Sequence, residues 1–286
     1  MRNFLATKWG IVCVGAAIGG FASLLQFWGN PGNMGICVAC FERDIAGAIG
    51  LHRAAVVQYM RPEIIGFVLG ALIAALAFRD FRPRAGSAPI VRFILGIFAM
   101  IGALIFLGCP WRAMLRLAGG DGNAILGLLG LVFGIFIGTK FFKSGYSLGR
   151  ESKQFAAVGL IMPGIVLLFF VLMLIFPQVQ NEAKSGVLFY SLKGPGSMHA
   201  PLLISLIVGL GVGVVAQRSR FCTMGAFRDL ILFRQTHLLG GVVALIVAAF
   251  LANLALGQFH PGFQNQPVAH DLHVWNFLGM TLAGLA

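Results

Sequence analysis

Apolar residues fall in long windows separated by short polar or basic breaks. Windows near spanning length lie at about 10–28, 62–78, 89–107, 124–142, 155–176, 201–217 and 237–257, with an incomplete one from about 274. The pattern predicts seven membrane-crossing helices and a fragment, an all-α polytopic bundle. Small residues recur inside these windows at helical spacing: Gly15 and Gly19, Gly66 and Gly70, Gly130, Gly134 and Gly138, Gly209 and Gly213. Helices in lipid associate largely through close van der Waals contact, so such glycines predict a tight bundle. Three further apolar stretches, 33–50, 108–119 and 219–234, are too short or too broken to cross. They are expected to be re-entrant half-helices lining a pathway, because irregular backbone at membrane depth needs protein or a water-filled cavity beside it. The competing expectation is a surface loop with an interfacial helix.

Composition agrees with the pattern. Of 286 residues, 58% are hydrophobic and 10% charged, and the mean hydropathy is +0.90. A water-soluble globule or a disordered chain has no such balance, and nucleic-acid binding loses its main support. The net charge of +12 comes from 21 Lys and Arg against 9 Asp and Glu. Much of the excess lies in 79–92 (Arg79, Arg82, Arg84, Arg92), 140–153 (Lys140, Lys143, Arg150, Lys153) and 218–234 (Arg218, Arg220, Arg228, Arg234). By the positive-inside rule these segments face the cytoplasm beside anionic lipid, and the loop at about 177–200 lies outside. Arg2 and Lys8 lead directly into the first span, which is expected to remain as an anchor rather than be cleaved.

An internal repeat accompanies the spans. Cys37-Val-Ala-Cys-Phe-Glu-Arg43-Asp44 and Cys222-Thr-Met-Gly-Ala-Phe-Arg228-Asp229 both read C-x5-R-D, 185 residues apart. Gly20 and Gln26 precede the first copy as Gly211 and Gln217 precede the second. Five spans separate the starts of the two units, an odd number, so the copies are expected to be inverted, with a shared site between them. The predicted organisation is a first unit over 1–150, a connecting span and external loop over 151–200, and a second unit over 201–286. The first unit also contains Leu107-Gly108-Cys109-Pro110-Trp111-Arg112. No counterpart appears by Ala286, so the second unit is expected to continue beyond it.

Five cysteines, Cys13, Cys37, Cys40, Cys109 and Cys222, are too few and too odd a set for a disulfide scaffold. Cys13 sits in mid-span and is expected to be packing. The Gly-rich stretch Asn30–Gly35 precedes a thiol at the mouth of a half-helix, where open amides and the helix dipole favour an anion. A neutral thiol donates a weak S–H bond, better suited to soft sulfur or selenium than to a hard oxyanion oxygen. Arg43, Arg112 and Arg228 accompany the three motifs as candidate anion-binding groups, with Gly35 and Gly108 as supporting backbone. Equally, Arg43 and Arg228 could simply neutralise Asp44 and Asp229 or snorkel to headgroups. Cys37-Val-Ala-Cys40 has redox-dithiol spacing, but no second pair completes a metal cage. His270 and His273 read as part of an interfacial loop, and neither metal nor cofactor is expected.

Together the Gly-Ile-Cys-Val-Ala-Cys-Phe-Glu-Arg-Asp, Gly-Cys-Pro-Trp-Arg and Arg-Phe-Cys-Thr-Met-Gly-Ala-Phe-Arg-Asp motifs resemble the YeeE/YedE family of bacterial inner-membrane proteins. The likeness covers the whole chain and is greatest to the selenium-associated YedE branch; the YeeE branch takes up thiosulfate. It implies an hourglass-shaped helical bundle in which thiols pass a sulfur-bearing anion along by transient hydrogen bonds, without a covalent step. Carried over by motif, Cys37 or Cys40, Cys109 and Cys222 are the relay thiols. The resemblance also implies a TusA-like cytoplasmic sulfurtransferase as acceptor. The rival class is a membrane thiol-disulfide oxidoreductase using Cys37 and Cys40, which would need an exchangeable disulfide and an electron route. A third is a structural membrane subunit with incidental cysteines.

Overall fold

The computed structural model describes residues 4–176, 178–180 and 186–286. Arg2 and part of the loop expected outside, residues 177 and 181–185, lie outside the described residues. Eleven α-helices lie among the described residues: α1 (Lys8–Phe27), α2 (Val38–Ala48), α3 (Pro62–Ala77), α4 (Pro89–Ile105), α5 (Pro110–Ala118), α6 (Asn123–Lys143), α7 (Ala156–Ile175), α8 (Leu202–Ser219), α9 (Thr223–Phe233), α10 (Leu239–Ala255) and α11 (His273–Leu285). Their starts follow local chemistry. Thr7 Oγ1 accepts the Gly10 N–H at 3.2 Å to cap α1, and α3, α4 and α5 each begin on a proline, whose missing N–H costs nothing in a first turn.

Every expected span coincides with a helix, but length divides them. Five stretches are long and apolar enough to cross a membrane: Lys8–Phe27, Pro89–Ala118, Asn123–Lys143, Ala156–Ile175 and Leu202–Phe233. This is the make-up of a multi-pass membrane protein. The shorter apolar helices α3 and α10, with 16 and 17 residues, fall at or below the short end of the spanning range. Broad apolar side chains such as Phe93 and Ile97 on α4 and Ile161, Leu168 and Leu174 on α7 point away from the protein. That exposure is a liability in water and ordinary against lipid.

Three helix pairs carry the packing: α3 along α8, α1 along α10, and α6 along α11. Their seams are glycine. A Cβ built at Gly66 would lie 2.5 Å from the Leu206 carbonyl oxygen, and one at Gly209 2.4 Å from that of Glu63. Gly15 lies equally close to the backbone at Gly241, and Gly134 to Thr281. Gly138 is the exception to the expected stripe: its nearest neighbour, Leu285, is at ordinary contact distance, 3.7 Å.

The basic segments meet on one face. The two-residue strand β1 (Arg84–Ala85) pairs antiparallel with β2 (Ser152–Lys153), joining 79–92 to 140–153. Arg84 pairs with Glu151, and Arg218 reaches Asp80 at 3.3 Å. A cavity of about 540 Å³ there is lined by Asp80, Arg82, Arg84, Glu151, Gln217 and Arg220. Elsewhere, β3 (Gln178–Gln180) pairs in parallel with β4 (Leu188–Tyr190).

The glycine seams yield a direct test. Gly209→Ala forces a methyl group into backbone and is expected to destabilise the protein by about 1–3 kcal/mol, the usual cost of overpacking. Gly211→Ala, two residues along the same helix with nothing within 4 Å of its added Cβ, should be neutral or slightly stabilising. Thermal unfolding of both variants in detergent checks the contrast, and equal melting temperatures would contradict it.

Candidate functional site

Cys37, Cys109 and Cys222 hold the same position in the fold. Each is the N-cap residue of a short helix, α2, α5 and α9 respectively, in extended backbone conformation. The first amides of a helix have no intrahelical acceptor and are normally satisfied by an oxygen at the cap. A thiol is a poor substitute. Cys222 Sγ accepts the Gly225 N–H at 3.3 Å, whereas neither Cys37 nor Cys109 makes a side-chain cap bond.

Two of these helix starts converge. Cys37, Cys40 and Cys109 are all buried in one cluster, with the Cys37 thiol against both of the others. The Cys109 sulfur is faced by the backbone amides of Arg112 in its own helix and of Val38 and Ala39 at the start of α2. Cys40 is differently engaged: its thiol donates to the Leu107 carbonyl at 3.5 Å, and Arg112 Nη1 lies 3.8 Å from its sulfur.

Arg112 is fully buried. Its guanidinium donates to the carbonyls of Asn33 at 3.3 Å, Pro267 at 3.2 Å and Val268 at 3.0 Å. It forms no ion pair with a carboxylate among the described residues. The nearby Arg116 is buried too, bonded to Asp121 at 2.6 Å and stacked over Phe106. Of the two guanidinium groups, only that of Arg116 has a carboxylate partner among the described residues. Beside the two helix starts, the Arg112 guanidinium leaves a local excess of positive charge among the thiols.

Gly35 and Asn33 shape the loop before α2. A Cβ at Gly35 would lie 1.8 Å from the Ala22 carbonyl oxygen, so only glycine lets this loop lie on α1. Gln26 Oε1, a repeat glutamine, accepts the Asn33 N–H at 2.8 Å. Gly108 gives way to the Arg112 side chain, whose Cδ would be 2.9 Å from an added Cβ.

The remaining expected residues are placed differently. Cys222 is not in the buried cluster: it is exposed and lines an open cavity of about 540 Å³ with Met224, Arg228, Thr139, Phe142 and Tyr146. Cys13 corrects its expectation, since it lies on the exposed face of α1 rather than in the packed interior. Arg43 and Arg228 each pair with the following aspartate, at 2.8 Å in both cases, which is the neutralising arrangement weighed against direct anion contact. His270 ties its loop to α4 through the Ile105 carbonyl at 2.7 Å, and His273 opens α11.

Sequence reasoning missed Arg61, Glu63 and Arg116. Arg61 is fully buried and bonds Asp44 Oδ2 through Nε at 2.9 Å and Nη2 at 2.7 Å, stacked between Phe41 and Tyr59. A signal was available: Arg61 flanks the end of its span opposite the basic face, where the positive-inside bias disfavours arginine. An arginine there has a reason other than orientation.

Comparison of the chain with protein-family models finds no match, and no curated protein matches it.

The burial pattern predicts thiol reactivity. A water-soluble maleimide should modify Cys222 in the folded protein and reach Cys37, Cys40 and Cys109 only after denaturation. Cys13 should react with a lipid-soluble maleimide. Mass mapping of labelled peptides checks this, and rapid labelling of Cys109 by the water-soluble reagent would contradict it.

Proposed function

We propose that the protein is a membrane transporter or channel for a small selenium- or sulfur-containing anion, resembling the YeeE/YedE family, in a bacterial inner membrane. The observation that carries this reading is the buried trio Cys37, Cys40 and Cys109 beside Arg112, whose charge no described carboxylate balances. A cation beside a dithiol would also serve the thiolate of an oxidoreductase, but that chemistry needs only Cys37 and Cys40, whereas a third thiol, Cys109, caps a second helix in the same cluster. An anion-handling site needs both a positive wall and donors matched to the anion. Thiols match sulfur and selenium, soft acceptors that bind water less tightly than oxyanion oxygens do.

In this reading Cys37 and Cys109 exchange the anion across the joined starts of α2 and α5, and Cys222, in its open cavity, forms a separate station. Cys40, committed to the Leu107 carbonyl, supports the site rather than carrying cargo. The helices α2, α5 and α9 act as re-entrant half-helices, and the chain as an inverted repeat that pairs α1 to α4 with α8 to α11. Two features support the repeat. Helix partners exchange as a two-fold axis requires, α1 packing on α10 where α3 packs on α8. Both C-x5-R-D segments also place a cysteine at an N-cap and close an Arg–Asp pair. The basic face is then cytoplasmic, and a TusA-like sulfurtransferase is the acceptor on that side.

Uptake of labelled thiosulfate, selenite and selenosulfate into vesicles tests the proposal. Cys37→Ala and Cys109→Ala should abolish uptake, and Cys13→Ala and Cys40→Ser should retain it. Arg112→Gln should weaken apparent affinity about ten- to a hundredfold, the worth of a charged hydrogen bond of about 1.5–3 kcal/mol. A stoichiometric Cys37–Cys40 disulfide forming during turnover would instead establish the oxidoreductase reading.

A further inference from the structure

Glu63, the second residue of α3, is buried to 1% exposure. Its Oε1 accepts two hydrogen bonds, from Asn30 Nδ2 at 2.7 Å and Ser205 Oγ at 2.9 Å, while Oε2 accepts none. An ionised carboxylate buried with one oxygen unsolvated is costly unless charge nearby sustains it or a proton removes the charge. The groups around it are few. Ser205 on α8 and Asn30 in the α1–α2 loop are uncharged. Tyr59 and Arg61 precede Glu63 on its own segment, and His199, ahead of α8, stacks on Tyr59 at 4.4 Å. Arg61 is bound to Asp44, which Arg43 also holds. Two arginines against one aspartate leave a single positive charge, which an ionised Glu63 balances.

A cargo anion brings negative charge of its own to this region. Asn30 connects the two places: the Nδ2 that bonds Glu63 also donates to the Gly35 carbonyl at 3.0 Å, two residues before Cys37. We propose that Glu63 is a proton-binding site coupled to anion movement, ionised when the pathway is empty and protonated at Oε2 when an anion occupies the thiol cluster. The step is reversible binding of one proton to a carboxylate oxygen, with no redox change, and it makes the protein a proton–anion symporter. The inference rests on the transport reading of the preceding subsection.

The test uses the full chain in vesicles, with labelled thiosulfate as the probe. Wild-type accumulation should rise about tenfold per unit of imposed pH difference, acid on the side of uptake, as one proton per anion requires. Glu63→Gln, which mimics the protonated acid, should still equilibrate thiosulfate down its own gradient but ignore the pH difference. Glu63→Asp, which keeps a titratable group, should remain coupled with a shifted pH midpoint and serves if the glutamine variant does not fold. Transport by wild type that ignores pH, coupling that persists in Glu63→Gln, or a sodium gradient replacing the proton gradient would each overturn the inference while leaving the transport reading intact. If wild type moves none of the anions, that reading fails, and infrared difference spectra still decide the proton site. Acidification should raise a carbonyl-stretch component of a protonated carboxylic acid in wild type that is missing from Glu63→Gln, and identical spectra for the two proteins would refute the assignment.

Discussion

Taking a guanidinium out of water costs several kcal/mol even after the protein relaxes around it, and Arg112 is buried with only carbonyl oxygens and a sulfur to receive its hydrogens. Those acceptors come from three separate stretches of chain: Asn33 before α2, Cys40 within it, and Pro267 and Val268 ahead of α11. Satisfying one side chain therefore fixes two loops against the start of α5. The acceptors solvate the guanidinium but do not cancel its charge, and Arg116 already commands the nearby Asp121. The open amides at the starts of α2 and α5 add partial positive charge of the same sign. The resulting field has no resident counter-ion among the described residues, and on the proposed reading the cargo supplies it.

That arrangement needs the starts of two short helices to meet, and the glycine seams bring the surrounding helices close together. With α3 against α8 and α1 against α10 at backbone contact, these paired helices occupy little width beside the largely buried α2 and α5. Asp44 on α2 is then gripped by Arg43 and Arg61, and Arg61 also bonds the Pro195 and Met198 carbonyls. The position of α2, and so of Cys37, is thus tied to the segment preceding α8. A dianion entering a compartment held negative is opposed by about 2.3 kcal/mol per charge per 100 mV. On the proposed reading, a fixed positive field lowers the barrier to such an ion but supplies no drive, and the proton proposed for Glu63 would provide it.

Much of the architecture was legible because apolar windows of spanning length leave little choice: each became a helix, and the glycine spacing marked the seams that proved closest. The first cysteine motif was legible as a helix start through the glycine-rich stretch Asn30–Gly35 before it. What sequence could not supply was long-range pairing. Arg61 and Glu63 read as ordinary flanking charges at a span end, and nothing local connects them to Asp44, Asn30 or Ser205. Cys13 looked like interior packing because a uniformly apolar helix does not reveal which face meets lipid. Nor did the equivalence of Cys37 and Cys222 in the repeat disclose that one is buried beside a second thiol while the other opens onto a cavity.

The central claim is that a soft anion is held where the starts of α2 and α5 meet, and selenium makes this visible. Anomalous diffraction from crystals soaked in a selenium-containing anion should show a peak against Cys37 and Cys109, within reach of Arg112, with the thiols still reduced. Selenium found only at the basic surface, or a Cys37–Cys40 disulfide closing the site with no peak beside it, would contradict the account.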